Sequence, residues 1–149
     1  MGAAEGVQLS HIARETSDLK RLADFYQEVL GFERIEAPKF VEFEVIWLRI
    51  PFNSSFALHL IERNPQSKLP VSPYGSSSSS PPSPVADPRA LSRGHHLAFS
   101  VSNFDSLVRT LKEKGIETFE ATQPDGKTRQ VFFFDPDGNG LEVQSREAS

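Results

Sequence analysis

Apolar side chains recur at the helical period over residues 18–30, where Leu19, Leu22, Phe25, Tyr26 and Val29 form one face. Ser17 or Asp18 is placed to cap the free N–H groups at the start of this helix, and Gly31 suits the left-handed residue at its end. A strand over residues 7–14 precedes it. A strand beginning at Phe32-Glu33 follows the helix, then VEFEVIWLRI and SFALHLIE as further strands, with Pro51-Phe52-Asn53-Ser54 as the turn between them. The same order then returns. A strand over residues 95–101 leads to a helix over 104–114 with Phe104, Leu107, Val108 and Leu111 on one face. A strand over 117–121 comes next, then RQVFFFD and LEVQS, separated by the turn signals PDGK and DPDGNG.

Each half therefore reads as βαβββ, and the fold class is α+β. Two such modules, over residues 7–62 and 94–146 of a single domain 1–149, are expected to form a cupped, partly open barrel around a cleft. The halves also match residue by residue. HIARETSDL aligns with HLAFSVSNF, and FALHLIE with NGLEVQS, so His11 matches His96 and His59 matches Glu142. A lone histidine is ordinarily a hydrogen-bonded core or surface residue. Three of the four histidines and one glutamate, at matched strand positions, point instead to a divalent-cation site. Burying a carboxylate or imidazole on a concave sheet is costly without a partner, and a metal supplies one. His95 adjoins His96 and faces the other way.

Residues 63–93 interrupt the repeat. They hold most of the prolines and a run of five serines, which reads as a flexible linker with a short turn near residues 88–91. The functional alternative for this segment is a mobile lid over a ligand.

Composition narrows the function classes. A net charge of −4 gives no support for nucleic-acid binding. No apolar run nears the roughly 20 residues that span a bilayer. MGAAEGVQLS is too short and polar for a secretory signal, and Gly6 stands where a myristoylation pattern needs Ser or Thr. With no cysteine there is no disulfide, thiolate ligand or Cys nucleophile, and the expected location is cytoplasmic. Each half leaves a sheet edge and an apolar concave face that a chain this short covers poorly, so a homodimer is expected.

SHIARETSDLKRLADFYQEVLGFE, FALHLIE, RGHHLAFSV and VFFFDPDGNGLEV together resemble the vicinal oxygen chelate superfamily. The likeness is closest to glyoxalase I (lactoylglutathione lyase) and small plant glyoxalase-like proteins, and it spans nearly everything outside the insert. It implies a cupped site with His11, His59, His96 and Glu142 as ligands of one divalent ion, of the Zn, Ni, Co, Mn or Fe kind. It further implies a lyase or isomerase acting on the hemithioacetal of methylglyoxal and glutathione. Glu142, the only carboxylate of the four, would be the base, with His59 the second catalytic residue. Two positions depart from that pattern: His59 stands where glyoxalase I usually carries glutamate, and Glu15 where glutathione-using members tend to carry arginine. Arg14, Lys127 and Arg129 are the cations available to bind substrate in its place. Two other functions fit the same frame. One is Fe(II) ring-cleaving oxygenation of the extradiol dioxygenase type by His11, His96 and Glu142, with His59 as acid–base residue. The other is non-catalytic binding of a small ligand.

Overall fold

Asp18 opens the first helix, its carboxylate accepting from Arg21 N at 3.1 Å, and Gly31 closes it in the left-handed conformation at φ 71°. This helix, α1 (Leu19–Leu30), follows strand β1 (His11–Thr16). The fully buried Thr16 ties the two together by accepting from Asp18 N. The computed structural model describes residues 4–74 and 87–146, which fall in two units, Met1–Ser67 and Lys68–Ser149.

In the first unit β2 (Glu33–Ile35), β3 (Val45–Ile50) and β4 (Asn53–Glu62) complete a four-stranded sheet of order β1-β4-β3-β2. β1 runs parallel to β4, and the other pairs are antiparallel. α1 packs on β3 and β4, burying Leu22, Ala23, Tyr26 and Val29 together with Ile46, Leu48, Leu58 and Leu60. Strand alternation sends His11, Trp47 and His59 to the opposite side, away from α1.

The second unit repeats the plan. β5 (Leu97–Val101), α2 (Phe104–Glu113), β6 (Phe119–Thr122), β7 (Arg129–Phe134) and β8 (Gly140–Ser145) form a sheet of order β5-β8-β7-β6, again with one parallel pair, β5 with β8. α2 buries Phe104, Leu107, Val108 and Leu111. Val131, Phe133, Leu141 and Val143 are buried on one side of β7 and β8, and Phe132 and Glu142 lie on the other. The β7–β8 turn is built on Asp135, whose carboxylate accepts from the backbone of Asp137 and Asn139 and from the Asn139 side chain. Two βαβββ modules are thus present as expected. Each sheet is open, and neither closes on itself into a barrel.

Three boundaries differ from the sequence reading. β1 starts at His11 rather than residue 7, and β5 at Leu97, which leaves His95 and His96 just outside the strand. Residues 41–44, read as the start of the VEFEVIWLRI strand, are irregular. The third difference concerns the expected linker, of which residues 75–86 lie outside the described part. Its flanks are packed. Pro88–Arg93 forms a 3₁₀ helix against β7 and β8, with Pro88 and Leu91 buried, and Ser72 is buried with its hydroxyl donating to Gly138 O at 2.6 Å. Composition concealed this because the few anchoring side chains sit among many solvating ones.

A spacer would tolerate truncation of Leu91, whereas a core residue at 0% exposure would not. Leu91→Ala is expected to lower the unfolding free energy by about 2–4 kcal/mol, read from urea titration. A loss below about 0.5 kcal/mol, the range of an ordinary surface change, would return this flank to the role of spacer.

Candidate functional site

In the second unit, Glu142 sits in the middle of β8, opposite Phe132 on β7 and Ala98 on β5. It is 6% exposed, a burial that a carboxylate tolerates only with partners. Its two oxygens are used differently. Oε2 accepts from the Gln130 side-chain amide at 3.0 Å, and Oε1 lies 3.0 Å from His96 Nε2. The other nitrogen of His96, Nδ1, is 3.0 Å from Gly94 O. A carbonyl only accepts, so Nδ1 carries the proton of that bond, and Nε2 is the ring nitrogen that faces the carboxylate. Two acceptors at that separation repel unless a proton or a cation lies between them. The ring of Phe132 meets His96 edge-on at 5.7 Å, which closes one side of the pair to water.

This pair fits a divalent ion. Nitrogen and carboxylate ligands bind such ions at about 2.0–2.2 Å, which sets neighbouring ligand atoms about 3 Å apart. A ring N–H held by a backbone carbonyl is also the usual support of a ligating histidine. Among the described residues of either unit, no three His, Cys, Asp or Glu side chains gather into a metal cluster.

In the first unit, the His11 and His59 rings stack at 4.1 Å with 13° between their planes. Trp47 covers the other face of His59 at 3.8 Å and 2°. Ligand lone pairs lie in the ring plane, and two nearly parallel planes this far apart share no point. One ion therefore meets both lone pairs only after a ring turns. Burial in the stack, then the charge of the neighbouring His11, pushes the His59 pKa below its ordinary value of 6.5.

The cations assigned to substrate are placed elsewhere. Arg14 is in register with Leu60, on the α1 side of its sheet and away from His11 and His59; its Nε is buried with no hydrogen-bond partner among the described residues. Arg129 lies on the α2 side, bound to Asp105 at 2.8 Å and over the Phe104 ring at 4.6 Å. Lys127 is exposed in the turn shaped by Asp125, whose carboxylate accepts from Lys127 N and the Thr128 hydroxyl. Glu15, in the position of the expected arginine, instead binds Arg63 at 2.6 Å. The sequence reading missed Gln130 and Trp47. Trp47 was signalled by its parity in VIWLRI, out of step with the buried Ile46 and Leu48. Gln130 needed the β7–β8 register.

Comparison with known proteins places the frame. Residues 8–143 match the Glyoxalase/Bleomycin resistance protein/Dioxygenase superfamily. The chain belongs to that superfamily. Glyoxylase I 4 of Arabidopsis thaliana is 28% identical over 137 residues, covering 91% of this chain and 68% of the relative. Among solved structures, a glyoxalase/dioxygenase from Nostoc punctiforme aligns at a TM-score of 0.69 with 24% identity, over 99% of this chain and 97% of that one. TnmS3, an antibiotic-binding protein from a Streptomyces species, aligns at 0.65 with 21% identity, over 96% and 98%. The superfamily includes many enzymes and typically binds a divalent metal. No helix among the described residues is long and apolar enough to cross a membrane.

Trp47 is the only tryptophan and its ring lies against His59, so its emission senses the charge on that imidazole. An imidazolium stacked on indole quenches it, and emission is expected to fall with pH through a midpoint below 6.5, an effect that His59→Gln abolishes. The neutral ring is the form the fold favours. Its contribution to stability is therefore complete above about pH 6.5 and lost as pH falls through the lowered value. A midpoint at or above 6.5 would contradict the stack.

Proposed function

We propose that the chain is a cytoplasmic glyoxalase I-like lyase or isomerase, with Glu142 moving a carbon-bound proton on the thiol adduct of a 2-oxoaldehyde such as methylglyoxal. The observation that supports it is the buried carboxylate, steadied through one oxygen by Gln130 and facing Nε2 of His96 through the other. Gln130 holds the carboxylate plane in place, which aims its other oxygen at the substrate proton. His96 and Glu142 would hold the divalent ion, with His11 and His59 as the further donors. When bound, that ion would polarise two neighbouring oxygens of the substrate and stabilise the charge left as the proton departs. His59, released from its stack, is the second acid–base group of the proposal. Glutathione is the first thiol to test. Arg14 and Arg129 face the helices, which leaves Lys127 as the cation for its carboxylates, so a smaller thiol is the alternative substrate partner.

A second reading, binding of a small ligand without turnover, draws on a cavity of about 480 Å³ in the first unit. Trp47, Phe43 and Phe40 line it together with Arg34, Glu36 and Lys39, a wall suited to a small molecule that carries both aromatic and charged groups. TnmS3, named as an antibiotic-binding protein, shares the fold.

Turnover of the methylglyoxal–glutathione hemithioacetal, with zinc, nickel, cobalt or manganese supplied, tests the first reading. Glu142→Gln keeps the shape but cannot accept the proton, and kcat is expected to fall at least about a hundredfold. Metal content should fall less than in His96→Ala. Near-normal turnover in Glu142→Gln alongside loss in His59→Ala would move the proton to His59. No turnover by the metal-loaded wild type, with Trp47 emission responding to an aromatic ligand, would favour the binding reading.

A homodimer is part of the proposal. It would cover the exposed Val7, Leu9 and Phe52 and pair an edge strand such as β1. Light scattering is expected to give about twice the 16.6 kDa of one chain at micromolar concentration, and a monomer there would contradict it.

A further inference from the structure

We infer that Tyr74, from the flank of the Pro/Ser-rich insert, is a positioning residue that sets the ring of His96. The need for one follows from the strand boundary. The β5–β8 ladder begins at Leu97, so His96 lies one residue outside it and the sheet does not fix its backbone. Tyr74 makes up the deficit. Its hydroxyl donates to His95 O at 2.7 Å. That carbonyl and the His96 N–H belong to one planar peptide, so the bond fixes the plane from which the His96 side chain departs.

The surroundings leave this arrangement little freedom. A methyl group on Gly94 would collide with the Tyr74 hydroxyl and lie 3.1 Å from its Cζ and 3.3 Å from Ala90 O. Gly94 is extended, so its lack of a side chain serves the approach of tyrosine rather than a special backbone angle. Gly94 is also the residue whose carbonyl accepts from His96 Nδ1. From the other side, a methyl group on Gly140 would collide with Leu91 Cδ2, lie 2.5 Å from His95 O and 3.3 Å from His96 Cβ. Residues 94–96 are therefore held between Tyr74 and the first residue of β8, with Leu91 filling the gap.

Tyr74 is itself anchored. Its N–H donates to Ser72 Oγ, its ring meets Phe134 edge-on at 5.7 Å, and Ser72 Oγ donates to Gly138 O. Gly138 lies in the turn that leads into β8, the strand carrying Glu142. One short segment thus fixes His96 relative to Glu142, and a stretch that reads as a spacer by composition acts as a clamp. The inference rests on His96 and Glu142 forming the site, but its test requires neither metal nor turnover, so either idea can fail alone.

The test uses full-length protein labelled with ¹⁵N at histidine, and nitrogen chemical shifts report the tautomer of each ring. In the wild type His96 is expected as the single Nδ1–H tautomer. Tyr74→Phe keeps the ring against Phe134 and removes only the hydroxyl. It is expected to give His96 a mixture of tautomers while the His59 signals stay in place. Gly94→Ala should do the same and lower the melting temperature. Its penalty should shrink in the Tyr74→Phe background, where the hydroxyl it collides with is gone. An unchanged His96 in Tyr74→Phe would overturn the inference. Equal disturbance of His59 would show a general loss of structure and overturn it as well, as would a Gly94→Ala penalty of the same size in both backgrounds.

Discussion

The candidate site of this chain turns on a buried carboxylate set 3.0 Å from Nε2 of His96, an imidazole whose other nitrogen is bound to a backbone carbonyl. A carboxylate this buried is costly unless partners compensate the water it has lost. The surrounding structure supplies those partners. Gln130 takes one carboxylate oxygen, Gly94 O takes the imidazole N–H, and Phe132 walls one side. A nitrogen and a carboxylate oxygen preorganised in this way are suited to share a cation or a transferred proton. That gives the site its direction of action.

The fold produces this pair by separating two tasks. In each βαβββ module a helix covers one side of the sheet and supplies the core, with α1 over Leu48 and Leu58 in the first. The strand period of two then delivers every second residue to the side away from α1 or α2, where His11, His59 and Glu142 fall, with His96 one residue before its strand. The modules have diverged in what they do with the same positions. In the second, histidine and glutamate face each other. In the first, His11 and His59 lie flat against each other under Trp47, which lowers the pKa of His59 and points the two lone pairs along separate planes.

Much of this was legible in the sequence, and the reasons differ by residue. Asp18, Gly31 and the 3.6-residue spacing of Leu22, Tyr26 and Val29 act locally, so the helices and their ends could be read directly. The duplication placed His59 and Glu142 on equivalent strands. What depends on register was not legible. Gln130 reaches Glu142 only because β7 and β8 pair as they do, and Arg129, next in sequence, falls on the opposite side. Arg14 could have been placed, because it lies three residues from His11 on one strand and alternation turns it away. The insert misled for a compositional reason: Ser72, Tyr74 and Leu91 are three anchors among many prolines and serines, and packing is not a property of averages.

The most direct test of the account is titration of zinc or nickel into the ¹⁵N-histidine-labelled chain, following each ring nitrogen. The account predicts saturable binding in which His96 Nε2 moves to the shift of a coordinated nitrogen while Nδ1 keeps its proton, with weaker binding when Glu142 is replaced by glutamine. Binding that leaves His96 Nε2 unmoved, or no binding at millimolar metal, would contradict it.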